Sequence, residues 1–285
     1  MQIGINTFLF TSPFTDKDAA SFPLFKSWGF DFVEIALEDA SHIDGKRIKG
    51  ELERNALSCE VICAAMGPGR DLRGSGKDQQ TALTYLQEVM DAMVDLDCRI
   101  LAGPLYSSVG RAEQVNESDY KRQWDMVAGH LRQLAAFAQD RNITLAIEPL
   151  NRFETDFINT CEQGLQMVRD VDHPSLGLHL DSFHMNIEEK HSGESILKAG
   201  EKLVHFHACG SDRGTPGSDH TDWESIFQAL NKINYKGNIA IESFTQDVKV
   251  IAKAAAIWRK IESSNNDIAQ KGAAFLREQI NKTYG

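Results

Sequence analysis

Four short apolar runs each end in a side chain able to bind a hard metal ion: TLAIE at Glu148, LGLHLD at Asp181, LVHFH at His207 and NIAIE at Glu242. Neighbouring members of this set lie about one strand–helix unit apart. That is the repeat of a β/α barrel, whose functional residues gather at the C-terminal ends of its strands. One such carboxylate alone is ordinarily a salt-bridge partner or a helix cap. Four ligand-capable residues at four consecutive strand ends point to a common centre. Three oxygen donors with one nitrogen suit Mn²⁺, Mg²⁺ or Co²⁺ better than a structural zinc, which favours thiolate and imidazole. A hard divalent ion there would polarise a carbonyl and stabilise an enediolate. Glu148 and Glu242, each with one free oxygen, would be able to pass protons to and from carbon on opposite faces, as paired carboxylates of environment-tuned acidity do.

The elements that must position these groups alternate along the whole chain. Strands are expected at Ile3–Asn6, Phe32–Ala36, Glu60–Ala64, Ile100–Ala102, Leu145–Glu148, Gly177–Asp181, Val204–His207 and Ile239–Glu242. Between them lie amphipathic stretches. Residues 80–96 place Leu83, Leu86, Val89, Met90, Met93 and Val94 three and four apart, and residues 120–139 do the same with Trp124, Val127, Leu131, Leu134 and Phe137. Thr221 and Glu224 have capping-box spacing, so a helix is expected to start just before Trp223. Strand–helix alternation implies a parallel sheet, and eight units allow closure. The expected fold is therefore an α/β (β/α)8 TIM barrel. It would form one domain over 1–285, with a C-terminal helical extension from about Asn266 to Thr283 covering the barrel base or a neighbouring subunit.

In a strand, residues two apart share a face. His179 with Asp181 and His205 with His207 then face the axis together, and His179 and His205 read as interior support for the ligand layer. The loops after Ala64, Ala102, Glu148 and His207 are long and rich in Gly or polar groups, and all follow strands, so they belong to the ligands' face. Gly67-Pro68-Gly69 and Gly74-Ser75-Gly76 lack the Lys-Ser/Thr of a phosphate loop and read as turns or a lid. Glu188-Glu189 reads as a solvated acidic pair and Trp223 as helix-start packing. Cys209 has no partner at the spacing of a nucleophile.

Composition narrows the partners. With 30 Lys+Arg against 41 Asp+Glu the net charge is −11, which opposes a nucleic-acid partner. No run approaches the roughly 20 apolar residues of a membrane span. The N-terminus lacks the pattern of a secretory signal. Five scattered cysteines without a CxxC pair fit reduced thiols and a cytoplasmic location.

NRFE at 151–154, LDSFHMNIEE at 180–189, HFH at 205–207, Arg213 and Pro216-Gly217 resemble the D-tagatose 3-epimerase/D-allulose 3-epimerase family, within the xylose-isomerase-like barrel superfamily. The resemblance runs from the first strand to Glu242 and is strongest between 145 and 245. It implies a divalent metal, usually Mn²⁺ or Co²⁺, on Glu148, Asp181, His207 and Glu242. It also implies exchange of the C3 proton of a free ketose by the two glutamates through a cis-enediolate. Substrate contacts carry over to Glu154, His184 and Arg213. By residue type alone, His184 would be a helix-start histidine and Arg213 a surface arginine. Relatives of this kind are commonly homodimers or homotetramers. The chain departs from the family's pattern at Ser211, Asp212 and Asp219, and Asn6, Thr7 and Phe8 stand where several members have a Tyr/Trp-rich stretch.

The rival readings keep the barrel. Related enzymes act on keto-glycosides or isomerise hydroxypyruvate with the same site. An endonuclease IV-like hydrolase needs several zinc ions, more histidines and a basic groove, against which the net charge weighs. A non-catalytic sugar-binding barrel would have little use for two axial glutamates.

Overall fold

The structure, a computed structural model, describes residues 1–285. Eight parallel strands close on themselves in sequence order: β1 (Ile3–Asn6), β2 (Phe32–Leu37), β3 (Val61–Ala64), β4 (Ile100–Gly103), β5 (Thr144–Ile147), β6 (Leu176–Asp181), β7 (Leu203–Ala208) and β8 (Asn238–Ile241). Closure is made by β1 against β8, with Ile3 opposite Ile239 and Ile5 opposite Ile241. The expected strands all form, within a residue or so at their ends. Glu148 and Glu242 stand one residue beyond β5 and β8 rather than inside them.

Two apolar regions follow from the pleat. The outward set, with Ile5, Ile35, Ile62, Leu101, Leu145, Leu178, Phe206 and Ile241, packs against the helices in one continuous core. Each such side chain taken fully out of water contributes roughly 1.5–3 kcal/mol. The inward set is smaller: Phe32, Val61, Ala102, Ala146 and Ala240 plug the lower barrel. Gly4 is needed here, because a Cβ on it would run into the Phe32 ring. A β-bulge lies where β7 meets β6. Leu203 and His205 pair with the consecutive Leu178 and His179, so Val204 is the extra residue. Val204 packs against the plug, while His205 and His207 still face the axis.

Helices Gly76–Leu96 and Glu117–Gln139 cover the amphipathic stretches. Val94 does not belong to the buried stripe; it is 55% exposed, because it falls outside the arc that 3.6 residues per turn lays against the barrel. The first of these helices is started by a capping box, Ser75 with Asp78, so the Gly74-Ser75-Gly76 cluster is a helix entry. Helix Trp223–Lys232 begins where expected, but its cap is Asp222, whose side chain accepts from the Ser225 N–H. Thr221 instead donates its hydroxyl to Asp219. The C-terminal helix, Asn265–Tyr284, completes the outer ring beside β8 and β1 rather than lying across the base. Its Gly272 faces Ile241 and Pro216, and Trp223 meets its Phe275 edge-on.

Candidate active site

The backbone rule that side chains alternate across a strand brings the inward residues into tiers. Above the apolar plug sit Glu34, Cys63, His179 and His205; above them, at the mouth, are Glu148, Asp181, His207 and Glu242. These last four meet: one ligand atom from each lies within 4.8 Å of every other. All are buried, His207 completely. Asp181 is oriented by its own strand end. Its Oδ1 accepts from the Phe183 N–H as the cap of helix Ser182–Glu188, and its Oδ2 lies 2.7 Å from Nη1 of Arg213. Nδ1 of His207 stands 3.4 Å from Oε2 of Glu242.

Arg213 is a buried side chain, not a surface one. It reaches the centre from a left-handed backbone position at φ 67°. The turn is supported by the Gly214 N–H donating to Asp212. Its guanidinium lies between the rings of Phe183 and Phe244, at 4.1 and 4.7 Å, and also stands 3.3 Å from Oε2 of Glu242. His184 does sit near the start of a helix, and it is buried. Its Nδ1 accepts from the backbone N–H of Asn151 at 3.0 Å, and its Nε2 lies 3.7 Å from Oε1 of Glu148. Asn151 also donates to Glu154 at 2.8 Å. The NRFE loop thus ties Glu154 and His184 to the same mouth.

The electrostatics of the mouth are unequal. Burial, reinforced by the charge of Glu242, pushes the carboxyl of Glu148 well above the usual carboxylate range. Burial acts in the same sense on Glu242, but His207 and Arg213 outweigh it and hold that carboxyl below its usual value. Burial raises Asp181 to about 6 against the pull of Arg213 and His207. Oε1 of Glu148 and Nδ1 of His207 are buried without a hydrogen-bond partner. Three carboxylates around one guanidinium, with two orphaned ligand atoms aimed inward, fit a divalent cation. It would supply the missing positive charge and satisfy both atoms. The oxygen-rich donor set suits a hard ion.

Several groups at this centre carry no obvious mark in the sequence. Glu34, completely buried in β2, accepts from Nε2 of both His205 and His207 at 2.7 Å. Asn6, at the end of β1, donates to Glu34 and to Glu242. Cys63 lies 3.7 Å from Oε1 of Glu242. A charged residue inside the otherwise apolar FVEIAL was the available signal for Glu34. His205 supports the ligand layer through Glu34, whereas His179 has both nitrogens unpartnered, with Nδ1 3.6 Å from Oε2 of Glu148.

Glu188 and Glu189 are not a solvated pair. Glu188 takes a two-pronged salt bridge from Arg152. Glu189 accepts from the Cys161 N–H, the first of its helix, where a negative charge is favoured. Asp219 collects the Ser211 N–H, the Thr221 hydroxyl and the Trp223 indole N–H. It therefore orders the loop that carries Arg213. The five cysteines are free and buried.

A closed parallel barrel with a buried carboxylate–imidazole cluster at its C-terminal mouth is the architecture of a metal-assisted (β/α)8 enzyme. The chain belongs to the xylose isomerase-like TIM barrel family, which it matches over residues 22–279. It is 35% identical over 279 residues to a probable ketose 3-epimerase of Synechocystis sp., covering 98% of this chain and 96% of that one. Identity to an L-ribulose 3-epimerase of Methylomonas sp. is 30% over 256 residues, covering 88% and 87%. The crystal structure of D-allulose 3-epimerase from Methylomonas sp. in complex with D-allulose superposes with a TM-score of 0.91 at 27% identity, covering 98% of this chain and 97% of that one. These relatives are carbohydrate epimerases, a class of isomerase. No helix is long and apolar enough to cross a membrane.

Proposed function

We propose that this chain, acting as one domain over 1–285, is a divalent-metal-dependent ketose 3-epimerase. It interconverts free ketoses of the D-fructose/D-allulose and D-tagatose/D-sorbose type. The observation that carries the reading is that two buried glutamates from strands three apart, Glu148 and Glu242, converge on one centre with Asp181 and His207 between them.

Glu148, Asp181, His207 and Glu242 would hold the cation, Mn²⁺ in this reading with Co²⁺ or Mg²⁺ as substitutes. When bound, it polarises the C2 carbonyl and offsets the negative charge that develops as C3 loses its proton. The chain's own groups do the rest. One glutamate takes the C3 proton, the C–H electron pair moves into the C2–C3 bond, and the C2=O π pair moves onto O2 to give a cis-enediolate. The other glutamate, protonated, returns a proton to the opposite face of C3, so the pair ends with one proton exchanged between its members. Glu154, His184 and Arg213 bind the sugar's oxygens at the rim, and the guanidinium is held for this by Phe183 and Phe244. Phe8 and Phe244, in an apolar cluster beside the mouth, help exclude water from the carbanionic stage. The enzyme is read as a cytoplasmic homodimer or homotetramer.

The test is a panel of ketoses, keto-glycosides and hydroxypyruvate in D₂O, with the chelated protein reloaded with Mn²⁺, Co²⁺ or Mg²⁺. Deuterium is expected at C3 of a free ketose, with the epimer appearing alongside. Exchange at another carbon, or in none of the ketoses with any metal, would overturn the reading.

A further inference from the structure

Beneath the ligand tier, β1 and β2 supply a pair of side chains that act on the centre without reaching into it. Asn6 and Glu34 are register partners in adjacent strands, and both are wholly buried. Oδ1 of Asn6 accepts from the Phe8 N–H at 2.9 Å. That bond settles which way round the amide lies and leaves its NH₂ group facing the interior. Nδ2 then stands 2.9 Å from Oε1 of Glu34 and 3.2 Å from Oε1 of Glu242, one hydrogen for each. Glu34 is in turn 2.7 Å from Nε2 of His205 and 2.7 Å from Nε2 of His207.

The chemistry of these contacts sets two orientations. A carboxylate only accepts, so Glu34 requires a proton on Nε2 of His207 and leaves Nδ1 as the nitrogen presented to Asp181 and Glu242. Donors on Oε1 of Glu242, from Asn6 and from the Cys63 thiol, turn Oε2 toward His207 and Arg213. An apolar pair of similar size would fill the same space in the barrel interior without burying a charge. Packing alone therefore does not account for Glu34.

We propose that Asn6 and Glu34 are positioning residues: they hold His207 and Glu242 in the single orientation that makes one nitrogen and one carboxylate oxygen available at the centre. The inference rests on the epimerase reading for its kinetic half only; its metal-binding half needs no substrate.

Three variants test it: Glu34→Gln, Glu34→Asp and Asn6→Leu. Mn²⁺ binding to the chelated proteins is followed by calorimetric titration, and kcat and KM are measured on the ketose that the parent turns over. Loss of a group supporting a metal ligand typically weakens binding about 10–100-fold. That range is expected for Glu34→Gln, with partial recovery in Glu34→Asp, which keeps the acceptor charge. Asn6→Leu is expected to lose at least about tenfold in kcat with KM nearly unchanged, because it frees Glu242 and not the sugar contacts. A Glu34→Gln protein that fails to fold leaves Glu34→Asp and Asn6→Leu to decide the matter. Mn²⁺ affinity and kcat within about twofold of the parent in the folded variants would overturn the proposal. A parent that binds Mn²⁺ but epimerises nothing would sink the epimerase reading and leave the affinity comparison intact.

Discussion

Glu148 and Glu242 are the same side chain in two different surroundings. Oε1 of Glu242 is held by Asn6 and Cys63, while Oε1 of Glu148 has no partner. If both exchange the C3 proton, replacing either with the isosteric amide removes a proton carrier while nearly preserving shape. Glu148→Gln and Glu242→Gln are each expected to lower kcat by about 10²–10⁴-fold, with sugar binding retained in equilibrium measurements. Substantial turnover by either would exclude a two-carboxylate exchange. Arg213→Lys is expected to lower kcat/KM although the charge is kept. An ammonium cannot fill the planar slot between Phe183 and Phe244 while reaching both Asp181 and Glu242. Parent-like kinetics in that variant would show that the point charge alone suffices. The four ligand-capable residues were legible because each closes an apolar run. Asn6 was not, and the charge inside FVEIAL marked Glu34 as unusual without showing its partners, which stand on strands far away in sequence.

At the scale of elements, strand ends and helix starts do most of the positioning. Asp181 is both the last residue of β6 and the cap of the next helix, so one carboxylate is aimed by two elements. Asp219 has a comparable role in the loop after β7. Removing it in Asp219→Ala would strand three donors at once, and a loss of about 1–3 kcal/mol in urea unfolding is expected. An unchanged midpoint would mean the loop holds itself without it. The eight strands were readable from short apolar runs, and one helix start, before Trp223, from capping-box spacing, although Asp222 and not Thr221 makes the cap; the Ser75 helix entry was not readable as one. Glu188 and Glu189 were misread for a physical reason: an acidic pair in sequence says nothing of Arg152 or of the Cys161 helix start that awaits it.

For the whole molecule, the buried negative charge at the barrel mouth links folding to the cation. Chelation is expected to lower the thermal midpoint, and added Mn²⁺ to restore it. At a free concentration about a hundred times the dissociation constant, the gain is about 2.7 kcal/mol. A midpoint indifferent to chelator and to all three ions would argue that no cation resides among these carboxylates. Part of the formal net charge of −11 lies at this centre, in the buried Glu34, Glu148, Asp181 and Glu242 set against Arg213. Alternation of strand and helix with a period of two inside each strand was enough, without coordinates, to determine a parallel barrel, its C-terminal face and the four side chains at that face. Only the tertiary structure decided what stands beneath and beside them: the β7 bulge, the Asn6–Glu34 pair, and the buried Arg213 held between two rings. Periodicity is a property of neighbours along the chain. Charge compensation in a closed interior is settled among residues that lie far apart in sequence.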